Sequence, residues 1–395
     1  MKYINWPGAL RSLAVVAAAV CTASAAVASD RLDGLFSKIE PSLRERAFMR
    51  INYIHANVKT TSGDAYDVTG PVVARGDIGT YMGTGSGYTS MFFRNGSNTI
   101  RTTTGFYNII DASLTGAMDA DAATENCPSL AAGLGTPCGI KARSSTTLGT
   151  PAVSLGYYLD EGMNWVIEAF VLAAPLSAEV YGDGNNGLNG KKIIDIKILP
   201  PTMVIGRYFG EPDSRIRPFV GLGASYALFM NARATEALNT YQGGGNPGDT
   251  TVSVKNALGF GPFFGVKAQF NEDWHFSLNI GKLRYQTEAT LVTRNTTITA
   301  DSAVVKDYGP LTALANTVTV NLTAGRPSSV APATGSVPQL ANSTVGDPIA
   351  ALTGLMCDLA LAKYGNNECN HGTFVRKQKT TLDNTLFMFS VGRRF

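Results

Sequence analysis

Residues 386–395 read Leu386-Phe387-Met388-Phe389-Ser390-Val391-Gly392-Arg393-Arg394-Phe395, and their alternation decides the fold. Counting back from the end, Phe395, Val391, Phe389 and Phe387 form one set, interrupted by Arg393. The intervening set, Arg394, Gly392, Ser390 and Met388, is more polar or smaller. A period of two is that of a β-strand. An apolar face opposed to a mixed face suits a strand with lipid on one side and a barrel lumen on the other.

Seven more segments with this character precede it. The eight are Arg46–Thr60, Pro151–Leu159, Met163–Ala174, Ile196–Phe209, Ile216–Asn231, Thr251–Phe270, Trp274–Thr293 and Thr381–Phe395. Their connections alternate in length. Asp160–Gly162, Gly210–Arg215 and Asn271–Asp273 are short, whereas Thr61–Thr150, Pro175–Asp195, Ala232–Thr250 and Arg294–Thr380 are long. Short turns at one end and long loops at the other are the pattern of an outer-membrane barrel. The predicted fold class is therefore all-β: an eight-stranded antiparallel transmembrane barrel with long extracellular loops and both chain ends on the periplasmic side.

The faces agree. In the third segment Trp165, Ile167, Ala169, Val171 and Ala173 form a wholly apolar outward row, and Asn164, Val166, Glu168, Phe170 and Leu172 form the other. The sixth segment sets Leu258, Phe260, Phe264 and Val266 against Gly259, Gly261, Phe263, Gly265 and Lys267. Aromatics cluster at the short turns (Tyr157, Trp165, Tyr208, Phe209, Phe270, Trp274, Phe395), as an interfacial belt requires. A soluble β-sandwich also flanks its turns with aromatics, but the export signal, the terminal Phe and the loop asymmetry favour the barrel.

The rest of the composition bounds the function. A net charge of +3 and only 16% charged residues give no basic surface for nucleic acid. Lys2 and Arg11 precede an apolar run from Leu13 to Val20 and the small-residue ending Ala26-Val-Ala28, which reads as a signal peptide spanning 1–28. The run is shorter than a membrane-spanning helix needs. A periplasmic segment, 29–45, then leads into a barrel over 46–395. Setting Cys21 aside, Cys127, Cys138, Cys357 and Cys369 remain, an even count that reads as disulfides in an exported chain. Three pairings are open, and the short spacings favour Cys127–Cys138 and Cys357–Cys369.

Several segments resemble the OmpW/AlkL family of small outer-membrane barrels: Ile198-Leu-Pro-Pro-Thr202 leading to Arg207-Tyr-Phe-Gly210, Arg217-Pro-Phe-Val-Gly-Leu-Gly-Ala-Ser-Tyr226, and Asn271-Glu-Asp-Trp274. Phe48-Met-Arg50, Ile167-Glu-Ala-Phe170 and Phe387-Met-Phe-Ser-Val-Gly392 fit as well. The aromatic Phe395 is similar to the terminal signature of bacterial outer-membrane barrels, which implies recognition by the barrel-assembly machinery. The resemblance implies the outer membrane of a Gram-negative bacterium, contact with its lipids, no cofactor, and passive uptake of small hydrophobic molecules. It says nothing about the enlarged first and fourth loops, about 61–150 and 294–380. These segments either extend or cap the barrel or are tolerated insertions at loop tips.

For such a conduit the inward apolar residues Phe170, Leu172, Val204, Phe219, Phe263 and Met388 are the candidate lining. Inward glycines (Gly206, Gly221, Gly223, Gly259, Gly261, Gly265, Gly281) are expected to leave room between them. Arg50, Glu168, Lys267 and Arg394 lie nearer the periplasmic end, with Glu168 expected to pair with Arg50 or Lys267, because an unpaired buried charge is costly. They read as a polar plug or as substrate contacts. If the base is closed, cargo leaves sideways, and Pro200-Pro201, which lack two backbone donors, are candidates for a lateral gap. The competing reading is a surface interaction, adhesion or receptor barrel acting through its two long disulfide-bonded loops. Catalysis has little support: His275 and Ser277 share a strand face without a third orienting group.

Overall fold

A computed structural model of the chain describes residues 45–83, 92–95, 98–101, parts of 111–119, 132–137, 139–307 apart from 185 and 272, 348–365 and 369–395. The predicted signal peptide, all but the last residue of the 29–45 segment, Cys127 and Cys138 lie outside the described residues.

The main strands are β1 (Ala47–Ser62), β2 (Lys141–Tyr158), β3 (Trp165–Leu172), β4 (Leu176–Asp183), β5 (Lys192–Leu199) and β6 (Thr202–Tyr208). They continue with β7 (Ile216–Ala234), β8 (Thr250–Val254), β9 (Ala257–Gln269), β10 (Trp274–Thr293) and β11 (Phe374–Arg394). All their pairings are antiparallel, and β1 joins both β2 and β11, which closes the ring. At the turn end the ring runs β1-β11-β10-β9-β7-β6-β3-β2. At the loop end β5 and β4 replace β6 and β3 between β7 and β2. Counting β3 with β4, β5 with β6 and β8 with β9 as single strands gives eight. Among the described residues no helix is long and apolar enough to cross a membrane.

Burial follows the dyad. On β1, Phe48, Arg50, Asn52, Ile54, Ala56 and Val58 are buried, while Ile51 and Tyr53 are 65% and 51% exposed. Leu258, Phe260, Phe264, Phe387, Phe389 and Val391 are likewise exposed beside buried inward neighbours. So many large apolar side chains turned outward suit hydrocarbon and not water. Trp165, Phe209, Phe270 and Trp274 stand outward at the short turns, but Tyr208 is buried and leaves the predicted belt. Arg207 lies over both Trp165 and Phe209, with its Cζ 5.8 and 5.5 Å from the ring centres.

The structure differs from the predicted segments at their loop ends. β2 begins at Lys141 and not Pro151, and β11 at Phe374 and not Thr381. The predicted long link Pro175–Asp195 is largely a strand pair, β4 and β5. These stretches run from the outer edge of the apolar band to beyond it, where the outward face meets polar surroundings and the alternation fades. The remaining loop segments carry short helices: α1 (Glu236–Tyr241), α2 (Ala303–Lys306) and α3 (Pro348–Tyr364). Thr235 caps α1 by accepting from the Leu238 amide at 3.4 Å.

The first and fourth loops meet at the outer end. Tyr66–Asp67 adds a short rung to β11, and Asp67 pairs with buried Arg376 at 3.2 Å while accepting from Thr136 N at 2.7 Å. Lys363 of α3 pairs with Asp77 at 2.8 Å. The Cys357–Cys369 disulfide ties α3 to the segment entering β11.

Candidate functional site

The barrel interior is the candidate site, and its floor is a polar network on an aromatic frame. Arg50, 1% exposed, donates from Nη1 to Glu168 Oε2 at 2.5 Å, from Nη2 to Tyr208 Oη at 3.0 Å and from Nε to His275 Nε2 at 2.8 Å. Glu168 Oε1 accepts from Ser154 Oγ at 2.6 Å, and Ser154 accepts from Asn52 Nδ2 at 3.0 Å. The guanidinium lies 4.4 Å from the centre of the Phe48 ring. These residues come from β1, β2, β3, β6 and β10, so the network ties strands around much of the ring.

A second cation layer adjoins it. Lys267 donates to Tyr158 Oη at 3.2 Å and lies over the Tyr158 and Tyr208 rings at 5.4 and 5.3 Å. Arg217, fully buried, donates to Met163 O at 2.9 Å and Asn164 Oδ1 at 2.7 Å, closing the β2–β3 turn from inside. Glu168 therefore takes Arg50, while Lys267 has aromatic and phenol partners. Arg394 is half-buried and reaches Met163 Sδ at 3.4 Å. A cavity of about 20 Å³ beneath Lys267 and His275 is scarcely larger than a water. Side chains fill most of the floor.

Above the floor the lining mixes apolar side chains with buried polar ones, among them Asn52, Thr202, Ser225, Ser277, Asn384 and Ser390. Phe170, Leu172, Val204, Phe219, Phe263 and Met388 are all 2–6% exposed and point inward. Phe170 and Phe263 meet edge to face with centres 6.4 Å apart. The glycines do not leave open room. Phe263 lies across Gly223 and Gly281, and Phe219 across Gly206 and Gly221, so closely that a Cβ at any of the four would collide with the ring. The aromatic rings fill the space that glycine makes, which corrects the expectation from sequence. Eight strands enclose an interior about wide enough for side chains or one small ligand, and here side chains occupy much of it. Asn52 Oδ1 and Ser390 Oγ, on facing residues of β1 and β11, are buried without a hydrogen-bond partner among the described residues.

The wall is interrupted at a seam between β2 and the β3–β4 strand, and among the described residues 228–234 of β7 likewise form no ladder pair with β8. β2 pairs with β3 from Ala152↔Leu172 to Tyr158↔Val166, and with β4 from Lys141↔Asp183 to Arg143↔Tyr181. Between them, among the described residues, 144–151 of β2 form no ladder pair with 173–180, although 144–151 pair fully with β1. One bond, Ala173 N to Pro151 O at 2.9 Å, marks the lower edge. Leu176 and Ala178 are buried along the seam, and Leu148 and Val180 pack against the same interior cluster.

Pro200 and Pro201 lie between β5 and β6, at the level of Pro175 at the head of β4. On their β7 side the register is continuous, from Leu199↔Leu228 to Thr202↔Ser225, and Tyr226 N donates to Pro201 O at 3.0 Å. On the other side the partners change from Ile198↔Leu176 to Thr202↔Phe170, an offset of two residues. The prolines thus bend the wall beside the seam, and the unpaired stretch lies one strand pair away from them.

Sequence reasoning missed Tyr208, Tyr158, His275, Ser154 and Arg217 as members of the floor. Counting every second residue from Arg50, Glu168 and Lys267 places most of them inward, but their convergence needs the cross-strand register. His275 has Arg50 as its partner, and Ser277 is fully buried on the same face. At the outer end, burial and the nearby Lys363 hold His371 down at about 4, and burial lifts Asp358 in α3 to about 6.

The chain is similar to several known proteins. Outer membrane protein W of Vibrio cholerae is 28% identical over 157 residues, covering 40% of this chain and 67% of that protein. The Salmonella typhimurium protein of the same name is 30% identical over 120 residues, 30% of this chain and 51% of its own length. The chain thus spans about two thirds of the first relative and about half of the second. Among solved structures, OprG from Pseudomonas aeruginosa aligns over 89% of this chain and 96% of its own, at 14% identity and a TM-score of 0.39. AlkL in lipid bilayers aligns over 89% and 90%, at 9% identity and a TM-score of 0.35. The family model matches residues 109–306, half of the 395-residue chain. With its closed eight-stranded ring and lipid-facing apolar rows, this protein of the Gram-negative outer membrane belongs to the OmpW family.

Proposed function

We propose that the barrel is a passive conduit for small hydrophobic molecules, which enter from the outer mouth and leave sideways through the seam between β2 and β4. The observation that carries this reading is an unpaired stretch of wall above a floor mostly filled by side chains. With Arg50 and Glu168 locked below, the axial route meets charge, where an apolar solute is poorly accommodated. The seam offers Leu148, Leu176, Ala178 and Val180 instead. Measured along β2 from Tyr157, residues 150 to 144 stand seven to thirteen residues up. At ~3.4 Å per residue and ~40° tilt this is roughly 18–34 Å, which straddles the outer edge of a ~25 Å apolar band. Cargo leaving there enters the outer leaflet. Phe170, Phe219, Phe263 and Met388 form the apolar part of the lining below that exit.

A cross-link tests it. Thr147 and Ser177 share the register of the flanking rungs and are both exposed. A Thr147→Cys/Ser177→Cys disulfide should abolish the protein-dependent uptake of a radiolabelled alkane by cells, and a reductant should restore it. The same link at Val220 and Phe264, on the intact β7–β9 ladder, should leave uptake unchanged. A hydrophilic solute run in parallel reports any general leak. Uptake that persists with the seam locked refutes the lateral route. No acceleration of either solute by the native protein moves the function to the loops and an external partner.

A further inference from the structure

We infer that the outward face of β1, β11 and β10 carries a docking site for the phosphate groups of a phosphorylated glycolipid in the outer leaflet. The outward row of β10 runs Trp274, Phe276, Leu278, Ile280 and then changes to Lys282 and Arg284. The outward row of β1 runs Ile51, Tyr53, His55, Asn57 and then Lys59. β11 lies between them, and its Asp383 is the ladder partner of both Lys59 and Arg284. Its Thr385 is the partner of Lys282 and of Asn57. Three cations therefore surround one carboxylate across three adjacent strands, with strands ~4.8 Å apart and successive outward residues ~6.8 Å apart.

The charges do not cancel. Arg284 reaches Asp383 only at 3.8 Å and its side chain is 66% exposed. Lys59 and Lys282 are exposed and have no ion-pair partner among the described residues. Cations on a lipid-facing wall without acidic partners are costly inside hydrocarbon and favourable where phosphates stand.

Height places them there. Lys282 and Arg284 stand eight and ten residues above Trp274 of the turn-side aromatic belt. At ~3.4 Å per residue and ~40° tilt this is roughly 21–26 Å, the outer edge of a ~25 Å apolar band. The exterior around β4 and β5 at its loop end is different: Lys192 pairs with both Glu179 and Asp195 at 2.7 Å, and Arg143 with Asp183 at 3.5 Å. Lys197 and Arg233 on that side are also exposed without an ion pair among the described residues, but Arg233 is the ladder partner of Asp195, which Lys192 already holds. A headgroup bearing two phosphates on a disaccharide matches cations spread over about 10 Å better than a phospholipid with one.

The test uses the full chain folded in neutral detergent micelles, with diphosphoryl lipid A, its phosphate-free form and phosphatidylglycerol as probes. Binding is read by native mass spectrometry and by intrinsic fluorescence titration. Diphosphoryl lipid A should bind best, and Lys59→Gln/Lys282→Gln/Arg284→Gln should weaken it at least tenfold. The charge-matched control Arg143→Gln/Lys197→Gln/Arg233→Gln, on other outward positions, should bind as the native protein does. If the triple variant fails to fold, Lys59→Gln and Lys282→Gln carry the test singly, since neither removes an ion-pair partner, and each should weaken binding several-fold. Three results overturn the site: unchanged affinity in the variants, an equal loss in the control, or equal binding of the phosphate-free or phosphatidylglycerol probe.

Discussion

Glu168→Ala removes the only acid bonded to Arg50 among the described residues and leaves that guanidinium, 1% exposed, inside the barrel wall. Breaking a buried pair from one side costs about 3–5 kcal/mol, because the partner's charge stays behind. Tyr208 and His275 still accept from Arg50, which favours the lower half of that range. Ser154 also loses its acceptor at 2.6 Å, adding about 1 kcal/mol. The total expected is about 4 kcal/mol. Glu168→Gln keeps an acceptor for Ser154 and should cost less, about 2 kcal/mol. Arg50→Met/Glu168→Leu removes both charges and should return to within about 1 kcal/mol of the native protein. The assay is urea unfolding of the full chain in lipid vesicles, followed by tryptophan emission; Trp165 sits on the same strand as Glu168. The double-mutant cycle gives the coupling. If Glu168→Ala costs under about 1 kcal/mol, or the double variant is no better than the single, the floor is not held by this pair.

Other outcomes follow from the same geometry. His371 has a folded value near 4 against 6.5, so the unfolded loop binds the extra proton and the outer cap loses stability as pH falls from about 6.5 to 4. Asp358, raised from 3.8 to about 6, acts oppositely: its burial costs stability as pH rises through that window. Hydrogen exchange of α3 should therefore speed up on acidification in Asp358→Asn and slow down in His371→Gln, each by up to about 3 kcal/mol; parallel responses would contradict the assignment. Gly223→Val should cost about 1–3 kcal/mol in the same urea assay by driving a methyl into Phe263, and Phe263→Ala should relieve the clash. Removing the Cys357–Cys369 link should weaken the cap by about 3 kcal/mol, read as faster proteolysis within α3. Non-reducing peptide mapping should also recover Cys127 joined to Cys138.

The barrel was legible because lipid imposes a strict rule on one face. Phe387, Phe389 and Val391 declare their strand without any knowledge of its neighbours. Where the lipid ends the rule ends, so Lys141–Thr150 and Phe374–Thr380, whose outward rows are largely polar, did not read as strand. Inward residues were legible by counting, but not their partners. That Arg50 meets His275, 225 positions away, depends on the register of β1, β11 and β10. That Gly223 and Gly281 receive one phenyl ring depends on β7, β9 and β10 standing side by side. The seam was least legible. Proline pointed to Pro200-Pro201, whereas the unpaired edges run through 144–151 and 173–180, whose prolines, Pro151 and Pro175, did not stand out as gap candidates.

The two ladders that flank this seam lie on a single diagonal. Ala152↔Leu172 and Lys141↔Asp183 each advance eleven residues in opposite directions, so nothing is inserted or deleted between them. Closing the opening requires only that the missing rungs form, with no slip of one strand past another. On the other side of β3 and β4 the two-residue offset against β5 and β6 makes the bend a fixed feature of the chain. One flank of the same hairpin is a zipper and the other a hinge. On the proposed route, a passing molecule would leave no trace in the fold: the strands would rejoin in one frame, and every side chain would return to the face it left.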